Sequence, residues 1–215
     1  TAKDFLICCN LLKGENISAD LLMGLHEQTL EQVKTSIDLA IAGGVKHLSV
    51  YALTPEVGTP IYTDYLNGEL LSDDEVADIY DGVRAYLKQK GFNRYEVSNF
   101  ALKGFESRHN MNYWERGEYI GVGVSASSFA DGRRFTNTYS VDEYMNAVIF
   151  NKSPEISSDM IEGEDAKFEF IMLAMRTAEG MSVSQFNKQF NADFDKDYSL
   201  PLAKKGQFLV RDGDR

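Results

Sequence analysis

Asn16-Ile17-Ser18-Ala19-Asp20-Leu21-Leu22-Met23-Gly24, then a run from Thr29 to Ala42, then His47-Leu48-Ser49-Val50-Tyr51-Ala52-Leu53: these three consecutive segments decide the fold. The first and third are short, aliphatic and bounded by glycine or proline, and they read as strands. The middle one places apolar residues at Leu30, Val33, Ile37, Leu39, Ala40 and Ile41, the spacing of a helix face. Thr29 stands at its N-cap, Gln32 completes a capping box, and Gly43-Gly44 end it. Strand, helix and strand inside roughly 40 residues make a βαβ unit, which requires parallel pairing and a right-handed crossover. The chain is therefore expected to be α/β.

Upstream, residues 1–13 read as the end of a helix stopped by Gly14. Downstream, Pro55, Gly58 and Pro60 close the strand in a rigid loop. Ser72 caps a long helix that opens on Asp73-Asp74-Glu75, runs toward Lys88 and Lys90, and stops at Gly91, the charge order its dipole favours. Residues 94–100 read as a strand, 118–129 as a strand or strand–loop, and 139–150 as a helix packed through Tyr144, Val148 and Ile149. Residues 153–163 are polar and irregular and read as a linker. Helices are expected over 165–177, 182–190 and 198–205, and 207–215 reads as half of a hairpin. This gives two domains, 1–152 and 153–215, the second small, truncated and winged-helix-like. Parallel strands need neighbours on both sides. The expectation is an interior piece of a longer protein whose open edges favour a homo-oligomer.

With 215 residues the chain is long enough for one large domain or a domain and a half. Its 43% hydrophobic and 26% charged residues are those of a folded globular protein, so disorder is not invoked. The formal charge of -11 repels phosphate backbones, which argues against nucleic acid as a partner. No apolar run reaches the roughly 18 residues of a membrane span, and no signal peptide opens the chain. The two cysteines, Cys8 and Cys9, are adjacent. Neighbours do not readily form a disulfide with each other or a metal motif, so both are read as buried small hydrophobes in a cytoplasmic protein.

The stretch richest in chemistry is Tyr95-Glu96-Val97-Ser98-Asn99-Phe100-Ala101, followed by His109-Asn110-Met111-Asn112-Tyr113-Trp114. Gly121-Val122-Gly123-Val124-Ser125-Ala126-Ser127-Ser128 comes soon after, a small-residue run that lets backbone approach backbone or ligand closely. A strand feeding a polar aromatic loop and a small-residue floor reads as one wall of a binding site. His109 has two readings, a metal-ligating imidazole or a lock on its own loop. Tyr113 and Trp114 are either its stacking partners or core aromatics. Arg108, Arg133 and Arg134 can grip a ligand's carboxylates through forked hydrogen bonds or pair with surface acids, and the latter suits an acidic protein better. His26 and His47 read as surface residues, and Gly121 and Gly123 as close-packing positions.

The chain resembles the oxygen-independent coproporphyrinogen III oxidase-like family of radical S-adenosylmethionine (SAM) proteins, in its haem-chaperone branch. The likeness rests on Ile17-Ser18-Ala19-Asp20-Leu21, Gly24-Leu25 with Gln28-Thr29, and Leu48-Ser49-Val50-Tyr51. Glu56 with Gly58-Thr59-Pro60, the segment Tyr95 to Ala101, and His109-Asn110 with Tyr113-Trp114 extend it, all in order and spacing. It implies the C-terminal part of a partial (β/α)6 TIM-like barrel that holds a 4Fe–4S cluster and SAM, with residues 16–24 and 47–53 as its last two parallel strands. Carried over, Asp20 is a SAM-contacting carboxylate, Ala52 and Leu53 line the adenosine pocket, and Ser127 faces the SAM or substrate side. His109, Asn110, Tyr113 and Trp114 are candidates for a haem or substrate wall, and Arg108, Arg133 and Arg134 for contacts to propionates. No catalytic residue and no metal ligand are assigned within the chain.

The implied function is part of a radical SAM protein of tetrapyrrole and haem metabolism, in which a reduced cluster cleaves SAM to a 5′-deoxyadenosyl radical. The alternatives are a haem-binding chaperone that delivers haem, and an inactive fragment. Several departures qualify the likeness. The three-cysteine cluster motif and the glycine-rich SAM motif do not occur. His26 stands where the family has proline, and Ser127 where the chaperone branch tends to have histidine. The last domain also stops early.

Overall fold

The computed structural model describes residues 1–205 and 208–215, which form two compact units, 1–107 and 108–215. The first unit runs α1 (Ala2–Leu11), β1 (Ser18–Met23), α2 (Leu30–Ala42), β2 (His47–Ala52), α3 (Pro60–Leu66), α4 (Asp73–Gln89), β3 (Asn93–Arg94) and β4 (Asn99–Ala101). Its sheet has the order β1-β2-β4-β3.

β1 and β2 are parallel from Ser18↔His47 to Met23↔Ala52, so the expected βαβ unit is present. The Leu53 amide extends the ladder by donating to the Met23 carbonyl at 2.7 Å. The capping box of α2 is closed in both directions: Gln32 N–H donates to Thr29 Oγ1, and Thr29 N–H to Gln32 Oε1 at 2.9 Å. Ser72 and Glu75 form the same box on α4. Pro60 opens α3 as its first residue, a position where the missing N–H costs nothing, so the proline-rich loop ends in a helix not anticipated from the sequence.

The single strand expected over 94–100 is instead two short antiparallel strands, β3 and β4, joined by a turn. The Glu96 carboxylate, 1% exposed, accepts the Ser98 N–H at 3.2 Å and holds that turn from inside. The core lies between the sheet and two helices. Val33, Ile37 and Ala40 of α2 and Ile79, Val83 and Leu87 of α4 pack on Leu48, Val50 and Phe100. α2 and α4 meet closely at Gly82, where a Cβ would fall 2.4 Å from Leu30 Cδ2. Cys9 is buried against Gly43, whereas Cys8 is exposed, so the buried reading holds for only one of the pair.

The second unit runs α5 (Arg108–Trp114), β5 (Ser127–Ala130), β6 (Arg133–Asn137), α6 (Val141–Ile149), β7 (Glu155–Met160), α7 (Gly163–Ala174), α8 (Val183–Phe190), α9 (Phe194–Asp197) and α10 (Ser199–Lys205). β5, β6 and β7 form an antiparallel sheet in that order. The linker expected over 153–163 is therefore largely a strand. Five of the six β7 residues are exposed, the apolar Ile156 and Met160 among them, so the strand shows no alternation. The polar loop expected around His109 is the helix α5. In α6, Tyr144 is half-buried and accepts the Gly123 N–H at 3.1 Å, but Val148 and Ile149 face solvent, contrary to the packing expected of them.

The C-terminal helices enclose a second core around Phe186, fully buried and ringed by Phe170, Phe190, Phe194 and Tyr198 at centroid distances of 5.0 to 5.9 Å. The half-hairpin expected over 207–215 forms no strand over 208–215, and Gln207 lies outside the described residues. Asp214 instead accepts from Ser184 N at 2.8 Å and from Ser182 Oγ, tying the last residues to the start of α8. Among the described residues no helix is long and apolar enough to cross a membrane.

Candidate functional site

Pairing register sorts the first sheet into two faces, because side chains alternate along each strand and cross-strand partners share a side. Leu48, Val50 and Phe100 face the helices. Asp20, Ser49 and Asn99 pair in one row across β1, β2 and β4 on the opposite face. Ser18 and His47 form the adjacent row, and Leu22 and Tyr51 the row toward the C-terminal end of the parallel strands. The face behind the hydrophobic core is thus a polar one, and Asp20, exposed, stands at its open edge on β1.

His47 organises this face. It is 7% exposed rather than the surface residue expected, and its Nδ1 lies 2.7 Å from Ser18 Oγ and its Nε2 2.7 Å from Tyr95 Oη. Burial pushes its pKa below the ordinary histidine value, against the opposing pull of the Asp20 and Glu96 carboxylates. Asn99 is also buried, and among the described residues its Oδ1 is the buried side-chain oxygen with no hydrogen-bond partner. A buried unmatched acceptor is costly unless a ligand or water completes it. Ala52 ends β2, exposed, and Leu53 follows it half-buried with its Cβ 3.7 Å from a Cβ built on Gly24. Asp20, Ala52 and Leu53 thus belong to one strand pair, but alternation sets Ala52, paired with buried Met23, on the opposite side of the sheet from Asp20, at the C-terminal end of the strand. Ser49, His47 and Asn99 join the face without having been singled out as site residues. The alternation of His47, Ser49 and Tyr51 with Leu48 and Val50 was the available signal.

Ser127, the fourth SAM candidate, is the first residue of β5 in the second unit, exposed, with its Oγ 3.0 Å from Thr136 Oγ1. Gly121 makes a close approach there, since a Cβ on it would lie 2.2 Å from the Ser127 carbonyl oxygen. On α5 the four haem-wall candidates divide between two faces, as helical spacing requires. His109 and Tyr113 share one: their rings meet edge to face at 4.8 Å, and Tyr113 meets Tyr119 in the same way at 4.6 Å. Asn110 and Trp114 lie on the other, where Trp114 lines a cavity of about 280 Å³ with Phe170 and Ala174 of α7. His109 is exposed.

Arg133 and Arg134 are committed to protein carboxylates. Arg133 reaches Glu155 at 2.8 Å. Arg134 and Arg116 both reach Glu169, each at 2.7 Å, with Glu169 and Arg116 almost fully buried. Both guanidinium groups also stand over the Phe129 ring, at 4.7 Å for Arg116 and 5.2 Å for Arg134. Burial works against the charge on Arg134, but the hydrogen bond to Glu169, helped by Tyr119, outweighs it and raises its pKa. Arg116, unnoticed in the sequence, is thus the partner that makes Glu169 burial tolerable. Arg108 begins α5 and is exposed.

Residues 161–215 match the family model described as the HemN C-terminal domain. The chain is 35% identical over 192 residues to the protein named heme chaperone HemW of Lactococcus lactis subsp. lactis, covering 88% of this chain and 50% of that one. Its counterpart in Bacillus subtilis is 32% identical over 183 residues, 84% of this chain and 48% of the relative. In sequence and in fold the chain is thus similar to proteins of the oxygen-independent coproporphyrinogen III oxidase-like family. It spans about half the length of the curated relatives it matches. The solved structure of coproporphyrinogen III oxidase (HemN) from Escherichia coli, a radical SAM enzyme, superposes with a TM-score of 0.74 at 18% identity, covering 96% of this chain and 52% of that one, which establishes the shared fold.

Likeness to the coproporphyrinogen oxidase-like family implies SAM and a four-iron cluster in the intact relatives, and the residues present here treat the two differently. An exposed carboxylate in one row with a buried, unmatched amide oxygen two strands away suits a ligand rich in hydroxyl and amino donors, as SAM is. A cluster takes several cysteine thiolates. Cys8 and Cys9 sit side by side on α1, one exposed and one buried against Gly43, and do not fit one.

Proposed function

We propose that this chain is half of a radical SAM protein of haem handling, contributing part of the SAM-facing wall through its first unit and a haem-facing helix through its second. The observation that carries the reading is the row Asp20–Ser49–Asn99, polar and partly unmatched, on the face of a parallel strand pair opposite the core. Asp20 would accept hydrogen bonds from the ribose hydroxyls or the amino group of SAM. Asn99 would gain the donor it lacks, and Ala52 and Leu53 would border the adenine. SAM bound there supplies radical chemistry in the whole protein.

Haem as cargo is preferred over coproporphyrinogen as substrate. The relatives at 35% and 32% identity are named as haem chaperones, and the exposed His109 imidazole, steadied by Tyr113 and Tyr119, suits an axial ligand. Two measurements test the reading. Calorimetry should show SAM affinity falling about tenfold or more in Asp20→Asn, the cost of one charge-assisted hydrogen bond. Haem titration should give a Soret band that shifts in His109→Ala. An unchanged SAM affinity removes Asp20 from the pocket, and an unchanged Soret spectrum makes His109 structural.

A further inference from the structure

Away from the polar face, the turn after β1 and the end of α3 bring three donor side chains of mixed type together. His26 lies in the turn, Asp64 in α3, and Glu69 just beyond α3. One imidazole nitrogen and one carboxylate oxygen from each acid all lie within 4.8 Å of one another, and His26 Nε2 is 3.1 Å from Asp64 Oδ2. Three ligands of this kind at about 2.1 Å around a tetrahedral metal would stand about 3.4 Å apart. Exposed side chains close that difference by rotating about their own bonds.

Both supporting segments are tied down by contacts that do not involve the three donors' metal-facing atoms. Gln28 clamps the turn, accepting from Gly24 N at 2.9 Å and donating to the Leu22 carbonyl at 3.1 Å. Glu69 N donates to the Asp64 carbonyl at 2.9 Å, which winds the chain after α3 so that both carboxylates face the same way. Asn67 Nδ2 holds Glu69 Oε1 at 3.1 Å, leaving the other oxygen for a ligand. Asp64 already draws the imidazole in, raising its pKa, and the Glu69 backbone adds to the pull.

We infer that His26, Asp64 and Glu69 form a site for a first-row divalent transition metal such as Zn²⁺. An imidazole among the ligands disfavours Ca²⁺ and Mg²⁺, which take oxygen donors, and three protein ligands leave a coordination position open. On binding, the metal takes the place of the proton shared between His26 Nε2 and the Asp64 carboxylate. The inference stands apart from the SAM and haem readings, since it uses none of their residues.

The test is calorimetric titration of the metal-stripped chain with Zn²⁺, with Co²⁺ as a visible-absorbing substitute. One ion per chain should bind. Affinity should drop at least tenfold in His26→Ala, Asp64→Asn and Glu69→Gln, and the Co²⁺ visible band should change in each. Asp64→Asn and Glu69→Gln keep side-chain shape, so a loss there is not a folding effect, and unchanged circular dichroism checks His26→Ala. The site is overturned if wild type shows no saturable binding at millimolar Zn²⁺, which would leave an ion pair only. It is equally overturned if affinity and stoichiometry in His26→Ala equal those of wild type, which would place the ion elsewhere on the acidic surface.

Discussion

Glu169→Gln isolates the charge that holds α7 to the second sheet. In the wild type this carboxylate accepts Arg116 Nε and Arg134 Nη2, both at 2.7 Å. The two arms differ in worth. The Arg116 and Glu169 side chains are only 10% and 11% exposed, so removing the carboxylate leaves a guanidinium stranded in a poor solvent at a cost of about 3–5 kcal/mol. The Arg134 side chain is 38% exposed, and water screens its arm to about 0–1 kcal/mol. A unit of this size loses about 4–8 °C of melting temperature per kcal/mol, so its transition should fall by about 12 °C or more. Arg134→Met should cost only a few degrees, and the double replacement Arg116→Met with Glu169→Met should recover much of the loss by removing both charges together. Differential scanning calorimetry on the three variants reads this directly. A Glu169→Gln transition within about 3 °C of wild type would refute the buried-pair account, as would an Arg134→Met loss equal to it.

Two further outcomes follow from particular contacts. His47 is held neutral by burial, so its folded pKa lies below the roughly 6.5 of the unfolded chain. The unfolded state then takes up the proton first, and stability is full above that pH and lost as pH falls below it. His26 acts in the opposite sense: its raised pKa adds stability at low pH that fades as pH rises through it. Urea melts on a His26→Ala background should therefore show an acid-side decline that His47→Gln flattens, and a decline untouched by that substitution would exclude His47 as its source. Gly121→Ala should cost about 1–3 kcal/mol, because its Cβ would meet the Ser127 carbonyl rather than a flexible side chain. A thermal melt superimposable on wild type would mean that β5 moves aside freely.

Local signals carried most of the first unit. Helical spacing through Val33, Ile37 and Ala40, the reciprocal Thr29–Gln32 box and the acidic start of α4 are interactions among residues three or four apart, and a linear sequence displays them in full. The parallel pairing of β1 and β2 followed from the helix between them. What the sequence left open depends on partners far along the chain. His47 reads as an ordinary surface imidazole until Tyr95, 48 residues on, closes over it. Glu169 reads as a solvated acid until Arg116, 53 residues earlier, meets it in the interior. β7 resembles a linker because one exposed strand carries no alternation of its own, and only its ladder with β6 makes it a strand. Asp20 was legible as a carboxylate out of place in an aliphatic strand. Its company in Ser49 was decided by the parallel register of β1 on β2, and in Asn99 by the antiparallel register of β4 on β2, neither of which a local preference encodes.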